Sequence, residues 1–288
     1  MTLAHLFAGQ GSQRVGMGRE LLEAYPNLVR QADSVLGYSV AELCLEGPAE
    51  RLSDTRYTQC AVYVVDALAY VDSVRTGGRI PEVMAGHSLG EYAALFAAGV
   101  FDFRTGLEIV AKRAALMADA GRGAMSAVLG LDEDRVRGLL DSSGLPVDIA
   151  NLNAPDQIVV SGPEDGVKAV SALMAEHADA VIPLKVSGAF HSRYMEPAAR
   201  EFEPFLKGYV LARPKIPVIA NATGLPYRDD DIAGTLCRQL TSSVRWTETV
   251  THLLGLPDPE LREIGPGNVL TGLTKRIQAS LREAAVAG

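Results

Sequence analysis

Two apolar runs near the start of the chain each end in a glycine-bearing turn. "LAHLF" at residues 3 to 7 stops at Gly9-Gln10-Gly11, and "EVMAG" at 82 to 86 runs into Ser88. Short apolar runs closed by turn residues predict buried strands. After Ser88, "LGEYAALFAAG" is rich in helix formers and stops at Gly99, a C-terminal helix signal. Ser88 therefore falls on a predicted strand-to-helix turn. A second helix is predicted from about Phe103 to Ala118, where Leu107, Val110, Ala114 and Met117 recur at helical spacing.

From about 124 to 187 the texture shortens. "MSAVLG" predicts a strand, "DEDRVRGLLDS" a helix, and "VDIANLN" and "QIVVSG" two strands joined by a turn at Ala154-Pro155-Asp156. "EDGVKAVSALMAEH" predicts a helix and "AVIPLKV" a last strand. The order βαββαβ is that of a ferredoxin-like unit. Helix returns at "SRYMEPAAREFEPFL", a strand at "IPVIAN", and helices close the chain. With no repeat and no Pro/Gly/Ser-rich linker, a second unit has to be an insertion. The expected division is 1–123 with 188–288 for the larger unit and 124–187 for the smaller.

Bulk properties narrow the function. The 288 residues suffice for one large unit with a smaller one attached. A net charge of -8 argues against a general nucleic-acid binder. No apolar run reaches the roughly 20 residues that span a bilayer, and the N-terminus lacks the basic start of a signal peptide. Cys44, Cys60 and Cys237 are scattered without CxxC spacing, which gives neither a disulfide framework nor a zinc site. These features predict a cytoplasmic protein without membrane contact.

"GHSLG" at 86 to 90 fits the G-x-S-x-G pattern, whose glycines let backbone pack around a sharp turn that exposes a serine oxygen. The same serine could instead cap the helix. A hydroxyl needs a base to become a nucleophile, and histidine titrates in the right range. Of five histidines, His5 lies in the first strand and His177 in a polar stretch, so both read as structural or exposed. His87 adjoins Ser88, where neighbouring side chains diverge, and is expected to line a pocket. His252, late in the chain, and His191, directly before the helix cap Ser192 at the junction of the two units, remain as candidate bases, with His191 favoured.

Four ordered segments, "FAGQGSQ" (7 to 13), "GHSLGEY" (86 to 92), "GAFHS" (188 to 192) and "EIGPGNVLTGLTKRI" (263 to 277), resemble the malonyl-CoA:acyl carrier protein transacylases of fatty acid and polyketide synthesis. The resemblance spans nearly the whole chain. It implies an α/β fold, a large α/β-hydrolase-like domain with an inserted ferredoxin-like subdomain and the active site between them. It implies that Ser88 is the nucleophile and His191 its base, oriented by the main-chain carbonyl of Gln239. The backbone N–H groups of Gln10 and Leu89 would form the oxyanion hole, and Arg113 would bind the malonyl carboxylate. Ala8 stands where the family usually has proline. Arg113 has no acidic partner at helical spacing, whereas Glu108 and Lys112 are placed to pair with each other. Such an arginine is available for a ligand carboxylate, which its planar fork fits.

The implied reaction is a two-step acyl transfer through a Ser88 ester, from malonyl-CoA to the phosphopantetheine thiol of an acyl carrier protein. It needs no metal or redox cofactor. Phe190 beside the base is expected to crowd a branch on the α-carbon and so to favour malonyl over methylmalonyl. Arg193, Lys185, Lys275 and Arg276 are candidates for docking an acidic carrier. The protein is expected to be a monomer, and the segment 36 to 70 leans towards discrete polyketide acyltransferases. The rival expectations are an acyl hydrolase of the same fold, and an idle carrier-docking module with a decayed site.

Overall fold

The computed structural model describes residues 1–287. Strand β1 (Thr2–Phe7) leads to four short helices, α1 (Arg19–Ala24), α2 (Pro26–Leu36), α3 (Val40–Glu46) and α4 (Ala49–Ser53), and then to the long α5 (Thr55–Gly77). Strand β2 (Val83–Gly86), α6 (Gly90–Ala97) and α7 (Phe103–Asp119) follow. The next elements are β3 (Ala124–Leu129), α8 (Glu133–Ser143), β4 (Asp148–Ala154), β5 (Gln157–Gly162), α9 (Glu164–Ala175) and β6 (Ala180–Pro183). The chain ends through α10 (Glu196–Leu206), β7 (Val218–Ile219), α11 (Ile232–Thr241), α12 (Trp246–Leu254), β8 (Pro259–Ile264) and α13 (Val269–Ala287).

The first sheet is parallel, in the order β7-β2-β1-β8, with Phe7 of β1 paired to Gly86 of β2 and Ile264 of β8. Strands covered on both faces read as continuous apolar runs. Here side chains alternate between two cores. Phe7, Met84 and Val218 join the main core with α5, α6 and α7, while Ala4, Leu6, Val83, Ala85 and Ile219 pack with Trp246, Leu253 and Ile277 on the other side. Helix α5 is buried continuously from Thr58 to Leu68 because helices surround it.

The second sheet is antiparallel, in the order β4-β5-β3-β6, the ferredoxin-like arrangement. One face (Val128, Ile149, Ile158, Val160) packs on α8 and α9, and the other (Met125, Ala127, Ala150, Val159) joins the main core. The chain leaves and returns at a neck where Gly123 N–H donates to Ser187 O at 3.1 Å. The outer edge of β4 is not bare. Leu152 N–H donates to Val244 O at 2.9 Å, Val244 N–H donates to Ala150 O at 2.8 Å, and Ser243 and Thr247 hydroxyls donate to Ile149 O and Leu152 O.

Several boundaries differ from expectation. The strand expected through 186 stops at Pro183, and the one expected over 216 to 221 is only Val218–Ile219. The helix expected from Ser192 opens as a single tight turn, Arg193–Met195, before α10 begins with Pro197 in its first turn. The expected Glu108–Lys112 pair is replaced: Arg104, one turn back on the same helix, holds Glu108 at 2.9 Å, and the Tyr209 hydroxyl donates to its other oxygen. Lys112 lies instead over the Phe205 ring.

Candidate active site

Ser88 sits between the end of β2 and the start of α6 with φ 52°, in the left-handed region. A non-glycine residue there costs about 1–3 kcal/mol and persists only where its surroundings impose it. Asn221, just past β7, imposes it: its side-chain oxygen accepts from Ser88 N–H at 2.6 Å while its Nδ2 donates to Gly86 O at 2.7 Å. The two glycines are required by close approach. A Cβ on Gly86 would lie 2.0 Å from Gly90 C, and one on Gly90 would lie 2.1 Å from Phe7 O.

Of the two candidate bases the fold brings His191 to the serine, with Nε2 2.7 Å from Ser88 Oγ. Its Nδ1 lies 2.9 Å from Gln239 O. A carbonyl can only accept, so Nδ1 carries the proton and Nε2 is free to accept from the hydroxyl. His191 also has a positive φ, 55°. Its loop is tied down by Ser192 Oγ, which donates to Ala189 O at 2.5 Å, and by Asp148, which accepts from Arg193 N–H at 2.8 Å. Burial, and then the positive charge of Arg113, push the His191 pKa down to about 3. His252 is half-buried on α12, away from this hydrogen-bonded group.

Arg113, on α7, is 1% exposed. Its Nη1 donates to Gln59 Oε1 at 2.6 Å, and its Nη2 donates to Gln239 Oε1 at 3.0 Å and to Ser88 Oγ at 3.1 Å. The guanidinium lies 5.1 Å from the Tyr92 ring centroid, and its Nε has no protein partner. Among the described residues Arg113 makes no ion pair. A buried cation held by neutral oxygens alone is incompletely compensated, which leaves it open to an anionic ligand.

Two parts of this group were not singled out by sequence reasoning. The Gln239 side chain is one: its Nε2 donates to Ser88 O at 2.9 Å and to Glu91 Oε2 at 2.6 Å. The other is the pair Asn221 and Glu91. Glu91 also accepts from Asn221 N–H at 3.2 Å and from the Tyr227 hydroxyl. Burial raises its carboxyl to about 7, against the lowering effect of those donors and of Arg113. Glu91 lies within "GHSLGEY", so a polar residue in an otherwise apolar helix was the available signal.

The N–H groups of Gln10 and Leu89 donate to no protein group among the described residues. Gly9 brings the Gln10 loop against the turn, since a Cβ there would lie 2.4 Å from His87 O. His87 hydrogen-bonds Asn153 Oδ1 at 2.8 Å and lies edge-on to Trp246. It lines a cavity of about 460 Å³ together with Gln10, Asn151, Asn153 and Lys185, between the two sheets' domains. On the other side, His191, Asp148 and Arg193 line an open pocket. Phe190 is buried in the main core, its ring folded over Gly188. Of the candidate docking cations, Arg193 is engaged by Asp148 and Arg276 by Asp156, while Lys185 and Lys275 are exposed.

Residues 4–280 match the acyl transferase domain. The chain belongs to the acyl transferase family. It is 48% identical over 279 residues to the polyketide biosynthesis malonyl CoA-acyl carrier protein transacylase PksC of Bacillus subtilis, covering 96% of this acyltransferase and 97% of that protein. A malonyl CoA-acyl carrier protein transacylase structure from Burkholderia pseudomallei superposes with a TM-score of 0.93 at 43% identity, covering 97% and 98% of the two chains. A malonyl-transacylase in complex with its type II polyketide synthase acyl carrier protein superposes at 0.91 with 38% identity, over 96% and 93%. Among the described residues of this acyltransferase, no helix is long and apolar enough to cross a membrane. No group of three or more His, Cys, Asp or Glu side chains is placed to hold a metal ion.

Proposed function

We propose that this acyltransferase moves a malonyl group from malonyl-CoA to the phosphopantetheine thiol of an acyl carrier protein, by way of an ester on Ser88. The observation that carries the proposal is the double contact at Ser88 Oγ. His191 Nε2 at 2.7 Å can take its proton, and Arg113 Nη2 at 3.1 Å places a cation where the far carboxylate of a malonyl group would lie.

In the first step Ser88 Oγ attacks the thioester carbonyl carbon as His191 Nε2 takes the hydroxyl proton. The carbonyl oxygen becomes an oxyanion facing the N–H groups of Gln10 and Leu89. The C–S bond then breaks, the sulfur receives the proton from His191, and CoA leaves as a thiol. In the second step the carrier thiol gives its proton to His191 and attacks the ester carbonyl. The C–O bond breaks and Ser88 regains its proton. Every proton and electron pair is accounted for by substrate and protein groups, so the proposed cycle calls for no cofactor. Neutralising Arg113 with the malonyl carboxylate also removes the largest influence after burial that depresses His191, so the substrate raises the basicity of its own base.

The roles of Gln239 O as the orienter of His191, of His87 as a wall residue, and of Phe190 as a restriction on α-branched acyl groups belong to the same proposal. They are supported by the 2.9 Å contact, the cavity lining and the burial next to the base. The cavity along Gln10, Asn151 and Asn153 is the proposed path for the pantetheine arm. The name of the Bacillus relative favours a polyketide carrier. A monomer in a reducing cytoplasm completes the reading, supported by a site built within one chain and by three free cysteines.

Incubation with malonyl-CoA and pantetheinylated carrier protein tests the proposal. The expected product is malonyl-carrier, with a malonyl-protein intermediate seen by mass and absent in Ser88→Ala. Free malonate as the main product would point to a hydrolase and overturn transfer.

A further inference from the structure

Arg113 is buried beside the nucleophile with no carboxylate of its own, yet it is joined to one at a single remove. Its Nη2 donates to Gln239 Oε1 at 3.0 Å, and the other end of the same amide donates to Glu91 Oε2 at 2.6 Å. An amide between a cation and a carboxylate is polarised at both ends in the same sense, so each hydrogen bond strengthens the other. We propose that Glu91 is the internal counter-charge of Arg113, acting through the Gln239 amide, and that a malonyl carboxylate arriving at Arg113 displaces it electrostatically, so that loading is accompanied by uptake of a proton at Glu91. The inference rests on the malonyl-transfer reading above.

The surroundings of Glu91 decide the direction. Facing it are Arg113 from α7, the Gln239 amide from α11, the Asn221 N–H and Tyr227 hydroxyl from the segment after β7, and Tyr92 on its own helix. Arg238 on α11 acts on Tyr227. The charge opposing Glu91 is therefore that of Arg113, and a second carboxylate at the same cation disfavours ionisation of the first. Burial already raises the Glu91 carboxyl to about 7, where a modest push changes its protonation. The Tyr227 hydroxyl can turn from donor to acceptor and so serve either form of the carboxyl.

The sign follows from linkage. Glu91 binds protons more tightly in the malonyl complex than in the free enzyme. Preference for malonyl is then full below pH about 7, where Glu91 is already protonated, and declines as pH rises. An acyl group without a carboxylate, such as acetyl, does not engage Arg113 and provides the reference. His191 acts on both acyl groups, and burial, the largest influence on it, holds its pKa far below this pH range, so its own titration does not enter the comparison.

The test is single-turnover loading of the wild-type enzyme with malonyl-CoA or acetyl-CoA, followed with a pH indicator. At a pH of about 7.5 malonyl loading is expected to take up about 0.5 to 1 proton more per Ser88 than acetyl loading. The malonyl-to-acetyl ratio of kcat/KM is expected to fall at least about threefold between pH of about 6.5 and about 8.5. In Glu91→Gln, which cannot titrate, the extra proton and the slope of the ratio both disappear. Equal proton uptake from the two thioesters in the wild type overturns the inference whether or not the variant folds, as does an unchanged slope in a folded Glu91→Gln. Failure of malonyl-CoA to label Ser88 at all, read by mass, is the separate result that removes the functional reading, and this inference with it.

Discussion

Ser88 and His191 lie 103 positions apart in sequence, yet they share a backbone conformation, φ 52° and 55°, and their side chains meet at 2.7 Å. Neither is a glycine, so each spends conformational energy to project its side chain sharply out of a turn. The elements that hold them differ. Asn221 and two glycines clamp the serine, while Asp148 and Ser192 fix the loop of the histidine.

The strain at Ser88 is measurable by comparing two variants. Ser88→Ala and Ser88→Gly both lack the hydroxyl, but only glycine adopts this φ without cost. Ser88→Gly is expected to exceed Ser88→Ala in stability by about 1 kcal/mol, read as a higher Tm. An alanine variant that melts at or above the glycine one refutes strain at this position.

Arg113→Ala should separate recognition from chemistry. Malonyl loading is expected to fall about 100-fold or more, the scale of a lost charge-assisted carboxylate contact, while acetyl loading falls much less. Arg113→Lys should recover only part of the malonyl rate, because an ammonium lacks the fork that meets Gln59, Gln239 and a ligand together. Parallel loss of both acyl groups would make Arg113 a support for the fold.

Asn221→Ala leaves Ser88 N–H and Gly86 O buried without their partner. A stability loss of about 1–3 kcal/mol is expected, together with a fall in kcat for malonyl and acetyl alike, because the serine rather than the acyl pocket is displaced. A change in the malonyl-to-acetyl ratio would show that Asn221 acts on the substrate instead.

Asp66 offers a pH test away from the site. It is fully buried on α5, neither carboxyl oxygen has a hydrogen-bond partner, and it sits against Gly265. Burial, reinforced by the charge of Glu263, holds its pKa well above the ordinary carboxylate range. A raised acid contributes stability fully below its unfolded pKa and loses it as pH rises towards the folded value. Asp66→Asn cannot titrate, so its stability relative to wild type should climb with pH, by up to about 1.4 kcal/mol per unit of pH above roughly 4, read as a Tm difference that widens with pH. A difference in Tm that stays constant between acid and mildly alkaline buffer would show Asp66 to be unburdened.

The strands around Ser88 and the βαββαβ order were legible because period and turn residues act locally. "LAHLF" and "EVMAG" became adjacent parallel strands, and the 124 to 187 pattern became a second sheet. What sequence patterning left open was long-range. It favoured His191 over His252 by position but left both as candidates, since only the packing of α11 against the His191 loop brings Gln239 O to Nδ1. It read Arg113 as lacking a partner on its own helix, but the oxygens that hold it come from α5 and α11. Asn221 lay at the end of a predicted strand and carried no local signal of its task. The "EIGPGN" segment, by contrast, has a structural job visible in the fold: Glu263 accepts from Leu270 and Thr271 N–H groups and so caps the first turn of α13.

The seam along β4 bears on how far this enzyme is modular. Residues 243 to 247, which stitch to β4, follow directly on the helix whose Gln239 carbonyl meets His191 Nδ1. A tilt of the inserted sheet is therefore transmitted to the imidazole within a few residues. Exchanging the insert for that of a relative would leave a folded but mistuned chimera unless the stretch from Gln239 to Thr247 travels with it, so the smallest transplantable unit is discontinuous in sequence.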